Sequence, residues 1–158
     1  MTPVAHILSE WAAELPTPGT ELANTRALDA LTDGLACIFA GCRNPVTLKV
    51  LEATCKSQGR GEHTVFGHEI TLSATGAALI NGIAAHALDF DDNFLPGLTH
   101  ATAILTPALF ATAESHSVSG QRLIDCYIIG LELQARIGAL VNPQHYETGW
   151  HATSTIGT

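Results

Sequence analysis

With 158 residues, 46% hydrophobic and 14% charged, the chain is long enough for one domain and apolar for a soluble one. A chain of this size buries about 68–70% of its unfolded surface, and the apolar excess predicts a surface covered in part by another subunit or by more of the same chain. A net charge of −8 without any basic cluster argues against nucleic acid as a partner. An anionic substrate would have to be drawn in by local groups against the overall field.

Thr2-Pro3 reads as the N-cap and first residue of a helix reaching about Leu15, with Val4, Ile7, Leu8 and Trp11 on one face and Pro16 and Pro18-Gly19 ending it. This N-terminus lacks a basic segment and carries Glu10 and Glu14 inside its apolar pattern, so neither a secretory signal nor a transit peptide is expected. A second helix is predicted from Glu21 to Ala40, with Leu28, Leu31, Leu35, Ile38 and Phe39 inward and Gly41 as its stop. After Asn44-Pro45, Val46 to Ser57 reads as a third, its face made by Leu48, Leu51 and Cys55. Gln58 to Ile70, with Gly59, Gly61, Gly67 and the pair Val65-Phe66, reads as a loop with one extended segment.

A fourth helix is predicted from Ser73 to Leu88, extending as far as residue 90 if the acids that follow belong to it. It lies in the uncharged run Ile70–Leu88, whose Ser73, Asn81 and His86 favour a buried soluble helix over a membrane span. Ala101 to His116 forms the fifth, kinked or restarted at Pro107. Ser119 caps the sixth, which runs to about Val141 with Leu123, Ile124, Tyr127, Ile128, Leu131 and Ile137 inward. Asn142 to Trp150 is a loop, and His151 opens a further helix at the end of the sequence. The fold class is all-α with one irregular insert. Cys37, Cys42, Cys55 and Cys126 show no CxxC spacing and read as reduced core cysteines of a cytosolic protein.

Chemistry concentrates between Asn81 and His100. Asp89, Asp91 and Asp92 follow a helix whose C-terminal end is itself partly negative, a placement that disfavours each acid by a few tenths to about 1 kcal/mol. A fold accepts that cost more readily where a cation, an acidic hydrogen or a metal is met; the bland reading is a solvated acidic loop. Metal ligation by Asp89, Asp91, Asp92 and His100 is conceivable, but no second ligand set is visible, and no metal is assigned. His86 and Asp89, at i and i+3, can face one way and form a histidine–carboxylate pair, either for proton transfer or to satisfy a buried histidine.

His100 precedes Ala-Thr-Ala-Ile-Leu and His151 precedes Ala-Thr-Ser-Thr-Ile. Each is expected at a helix start, where free N–H groups attract carboxylates and the dipole favours a neutral imidazole able to act as a base. The alternative is a pair of capping-region histidines without a task. His6, His63, His68, His116 and His145 are assigned nothing. Asp89-Phe-Asp-Asp92 also matches the DxDD acid motif of some terpene cyclases, a third reading that predicts activity on a prenyl diphosphate. No phosphate loop, GxSxG or HExxH is present.

Taken together, NGIAAHALDFDD, Thr99-His100, PALFATAE, GLELQARIG and the closing GWHATSTIG resemble the N-terminal part of the MmgE/PrpD family, over nearly the whole chain. That family includes 2-methylcitrate dehydratase, cis-aconitate decarboxylase and iminodisuccinate epimerase. The resemblance implies a large all-α domain with a smaller α/β lid, usually in a homodimer, an active site between the two, and no obligatory metal or organic cofactor. Residues 1–158 would be the N-terminal part of the helical domain. The family's site aspartate matches Asp89, the position after the acidic pair matches Asn93, and its two early histidines match His100 and His151. Members often carry Thr where this chain has Asn93, and His-Pro-Ser where it has His100-Ala101-Thr102.

The resemblance thus implies Asp89, His100 and His151 as catalytic residues, with Asn93, Thr99, Thr102 and Thr153 binding substrate. Its chemistry is a lyase-type proton transfer α to a carboxylate on a small di- or tricarboxylate, of the 2-methylcitrate dehydratase kind. Members run to roughly three times this length, and their later lysine and histidine have no counterpart here. A truncated product, a fragment or one subunit of a split protein is therefore expected. The rival reading is a non-catalytic fragment or assembly partner. Expected partners are a small polycarboxylate and either a second copy or a complementing C-terminal chain, with no membrane contact and a cytoplasmic location.

Overall fold

The computed structural model describes residues 3–14 and 19–157. Eight helices and one small hairpin occur among them: α1 Val4–Glu14, α2 Glu21–Gly41, α3 Pro45–Gln58, β1 His63–Thr64, β2 Thr71–Leu72, α4 Ala74–His86, α5 Ala101–Ser115, α6 Gly120–Val141, α7 Gln144–Glu147 and α8 Ala152–Ile156. The expected boundaries at Thr2, Leu15, Pro16 and Pro18 lie outside the described residues. The mostly helical class stands. No helix among the described residues is long and apolar enough to cross a membrane.

Side-chain caps set the helix starts. Thr20, Asn44, Ser73 and Ser119 each accept a hydrogen bond from a backbone N–H of the first turn of α2, α3, α4 and α6. Helix α4 is the axis of the domain. It packs against α2 on one side and α5 on the other, while α6 closes over α2 and α5 and α3 lies along α4. Three clusters fill the seams. Ile38, Ala84, Ala85 and Ala103 join α2, α4 and α5. Leu51, Val65, Leu72, Ala77 and Ile80 join α3, the hairpin and α4. Ala27, Leu31 and Tyr127 join α2 and α6.

Two helices bury only part of the stripe expected. In α2 the buried positions are Ala27, Leu31, Gly34, Cys37, Ile38 and Gly41, whereas Leu28 and Phe39 are both 54% exposed. In α3 they are Thr47, Leu51 and Thr54, and Leu48 and Cys55 face out. Leu31, Ile38 and Leu51 are inward as expected, and small side chains fill the rest of each seam and let the helices approach closely. At Gly41 a Cβ would stand 2.0 Å from the carbonyl oxygen of Ala84. The apolar face assigned to the first helix is also largely open: α1 buries no residue, and Trp11 packs beneath the Arg136 guanidinium at 5.6 Å.

The glycine-rich insert is a hairpin rather than a loop with a single extended segment, β1 pairing antiparallel with β2. Asn81, buried in α4, fastens it. Its Oδ1 accepts from the Phe66 N–H at 3.0 Å and its Nδ2 donates to the Thr64 carbonyl at 2.9 Å. Helix α5 runs unbroken through Pro107, which is buried in it. Residues 142–150, expected as loop, include the single turn α7. All four cysteines are free.

The α2–α4 approach yields a test. Gly41→Ala should destabilise the fold by about 1–3 kcal/mol, because the added methyl meets backbone and not a movable side chain. The urea midpoint would fall with an unchanged m value. An unaltered midpoint would show that the two helices do not cross this closely.

Candidate active site

Helix α4 ends at His86, short of the acids that follow it. The reason is local: Ala87 is still helical, but Asp89 takes a left-handed backbone (φ 56°), which short acidic side chains tolerate, and its N–H bonds back to the His86 carbonyl. From there residues 90–99 form a loop closed by a bridge between Phe94 and Thr99. Gly97 of this loop packs on Gly138 of α6, where a Cβ would come within 2.6 Å of its Cα. Asn142 donates to the Gly97 carbonyl at 2.8 Å, and the Thr99 hydroxyl donates to Gln134 Oε1 at 2.8 Å. The loop is thereby fixed to α6, and it delivers His100 to the start of α5.

The expected pairing of His86 with Asp89 is not formed. With Asp89 turned off the helix, its carboxylate is 80% exposed and stands 3.9 Å from His100 Nε2. His86 instead meets Asp91, whose two oxygens lie 2.9 and 3.0 Å from Nδ1. Because a carboxylate only accepts, this contact places a proton on Nδ1. Asp91 is 1% exposed at its side chain and also stands 3.3 Å from His100 Nδ1. That nitrogen is buried and completes no hydrogen bond, so the contact is one of charge and proximity. Asp92 points the other way and accepts from the Thr102 N–H at 3.0 Å. The anion at the start of α5 is thus one of the chain's own.

Three imidazoles gather at this point. The ring centroids of His86 and His100 are 4.4 Å apart, those of His86 and His151 6.0 Å, and those of His100 and His151 6.3 Å. His151 is held at the start of α8, where Thr153 accepts from the His100 N–H at 3.0 Å. Asp89, His100 and His151, distant in sequence, therefore do come together. A cleft of about 350 Å³ opens beside them, lined by Asn93, Phe94, Leu98, His100, Tyr146 and His151. On the other side, Leu79, Ile83, His86, Ile104 and His151 border an apolar groove of about 700 Å³.

Of the four residues expected to bind substrate, Asn93 and Thr99 line the cleft and Thr153 the groove, and Asn93 alone of these is exposed. Thr99, Thr102 and Thr153 are buried, and their hydroxyls are engaged with Gln134, with Tyr127 and with the His100 backbone. No Lys or Arg lines the cleft or the groove among the described residues. Two residues of the cluster, His86 and Asp91, are not among those assigned from the sequence. The signal for them is the histidine one turn before the acidic run, once the helix is known to stop at that histidine.

A sequence model of the MmgE/PrpD N-terminal domain matches residues 6–158. The chain belongs to the MmgE/PrpD family. Among its relatives, a cis-aconitate decarboxylase of Aspergillus terreus is 30% identical over 159 residues, covering 95% of this chain and 32% of that protein. The mouse cis-aconitate decarboxylase is 32% identical over 84% of this chain, and the human one 36% identical over 60%. This MmgE/PrpD chain spans about a third of the length of the first of these relatives.

The frame behind His100 is tested through Tyr127. Burial pushes its phenol up to about 12, the Asp92 and Asp33 charges add to this, and the hydrogen bond with Thr102 at 2.6 Å opposes it. The phenol ionises more readily in the unfolded chain, so the native state holds the extra proton and stability falls as pH rises from about 10 to about 12. The loss should be of order 2 kcal/mol, read as a shift in urea midpoint that Tyr127→Phe removes. An identical alkaline loss in that variant would refute the assignment.

Proposed function

We propose that this chain contributes the histidine-lined side of a lyase site that acts on a small di- or tricarboxylate by proton transfer α to a carboxylate. The observation that carries the proposal is the meeting of His100 and His151 at one cleft, with Asp89 3.9 Å from His100 and Asp91 buried beside the imidazoles. The names of the relatives favour decarboxylation of cis-aconitate over dehydration of methylcitrate.

In such a reaction a C–C bond to one carboxylate breaks, CO2 leaves, and the electron pair moves to a carbon α to a remaining carboxylate. A proton must be delivered to that carbon. His100 and His151 are the groups placed to hand it over, and Asp91 fixes the ring of His86 and faces that of His100. Asp89, exposed and 3.9 Å from His100 Nε2, supports an orienting or proton-holding role. Asn93 is the polar group best placed to hydrogen-bond the substrate.

The site carries acids of its own and, among the described residues, no Lys or Arg lines the cleft, in a chain of net charge −8. Cations for the substrate carboxylates would therefore come from further polypeptide, either family sequence beyond this region or a second copy. The apolar groove beside His86 and His151 supports covering by such a segment. The same shortage of cations favours a second reading, a non-catalytic assembly partner.

The test is to assay the purified chain on cis-aconitate, methylcitrate and citrate, alone and together with polypeptide supplying the rest of the family's length. Turnover is expected in the combination, and His100→Ala or His151→Ala should lower kcat by about 10²–10⁴-fold. With the fold intact by circular dichroism, no turnover of any of the three would reject the lyase reading in favour of the assembly partner.

A further inference from the structure

We propose that His86, Asp89, Asp91 and His100 form a binding site for a divalent transition-metal cation of the zinc type. Each offers one ligand atom, and the four atoms lie within 4.8 Å of one another. Metal bonds of 2.0–2.2 Å place tetrahedral ligand atoms about 3.4 Å apart. Two edges of that figure are near this length, His86 Nδ1 to Asp91 at 2.9 Å, where the ion would displace the proton now held between them, and His100 Nδ1 to Asp91 at 3.3 Å. Asp89 stands at the other nitrogen of that ring, 3.9 Å from His100 Nε2, and its exposed carboxylate would swing toward Nδ1 to complete the set.

Two further features point to a cation. Asp91 is a nearly fully buried carboxylate whose ion-pair partners are imidazoles and not Lys or Arg. A buried acid in that setting gains from a full positive charge beside it. His100 Nδ1 is buried, faces that carboxylate and makes no hydrogen bond, leaving it available as a donor atom to a metal. A set of two nitrogens and two oxygens suits Zn2+ and its neighbours; Ca2+ and Mg2+ prefer shells made of oxygen. No cysteine belongs to the group. His86 is the ligand that spacing alone does not supply, because it reaches the acids only through the helix end at that residue.

The proposal is independent of the lyase reading, since binding is measured on the chain alone without substrate. Zn2+ is titrated calorimetrically into the purified chain, and Co2+ is followed by visible absorption. One equivalent should bind. Asp89→Asn, which alters an exposed side chain, and His86→Gln should each weaken binding by about 10-fold or more. His6→Ala, which removes the exposed His6–Glu10 pair, should leave it unchanged. Circular dichroism monitors the fold of each variant. The site is refuted if the wild-type chain does not bind, if Asp89→Asn binds as tightly as wild type, or if the cobalt complex shows a thiolate charge-transfer band that puts the ion on cysteine.

Discussion

The buried carboxylate of Asp91 is the constraint on which the centre of this domain depends. An acid with 1% of its side chain exposed is tolerable only if partners replace its water. Here the partners are His86, from the end of one helix, and His100, from the start of the next. Satisfying one charge therefore ties the ends of α4 and α5 together and turns two imidazoles toward each other. Asp92, its neighbour in sequence, faces away and closes the first turn of α5. Two adjacent residues thus do unlike work: one holds two imidazoles and the other caps the start of a helix.

Around this point the domain is built so that little can shift. The loop bearing the acids is pinned on α6 by Thr99, Gly97 and Asn142, and α8 is fixed by Thr153 to the backbone of His100. The hydroxyls nearest the imidazoles hold the frame, and the cleft itself is left to His100, His151, Asn93 and a few apolar or aromatic neighbours. A frame this well fastened meets a general requirement for proton transfer, that donor and acceptor be placed before the substrate arrives.

Much of this is legible in the sequence, and the failures have physical causes. The helix starts are readable because Ser, Thr and Asn at the caps act locally: Ser73 and Ser119 mark α4 and α6 as expected. The gathering of Asp89, His100 and His151 follows from the family resemblance, not from spacing, since nothing local brings residues so far apart together. The roles of His86 and Asp91 are hidden by a single detail. Whether the helix reaches residue 90 or stops at His86 decides which acid the histidine faces, and no propensity resolves a helix end to that accuracy. The buried stripes of α2 and α3 are partly misread for another reason: large apolar residues dominate any periodicity, while close helix contacts are made by Ala, Gly and Thr. The hairpin escapes notice because its strands are two residues each and owe their place to Asn81, which is remote in sequence.

The opposite facing of Asp91 and Asp92 fixes the length of the connection between His86 and His100. One amino acid inserted ahead of the pair would put Asp91 in the place of Asp92 and withdraw the acid from between the rings, and one deleted would put Asp92 between the rings and leave Asn93 at the helix start. Substitutions at the exposed Phe90 or Leu95 leave that count untouched. The segment should therefore accept changes of letter far more readily than changes of number, and a library that varies its length should return few folded members.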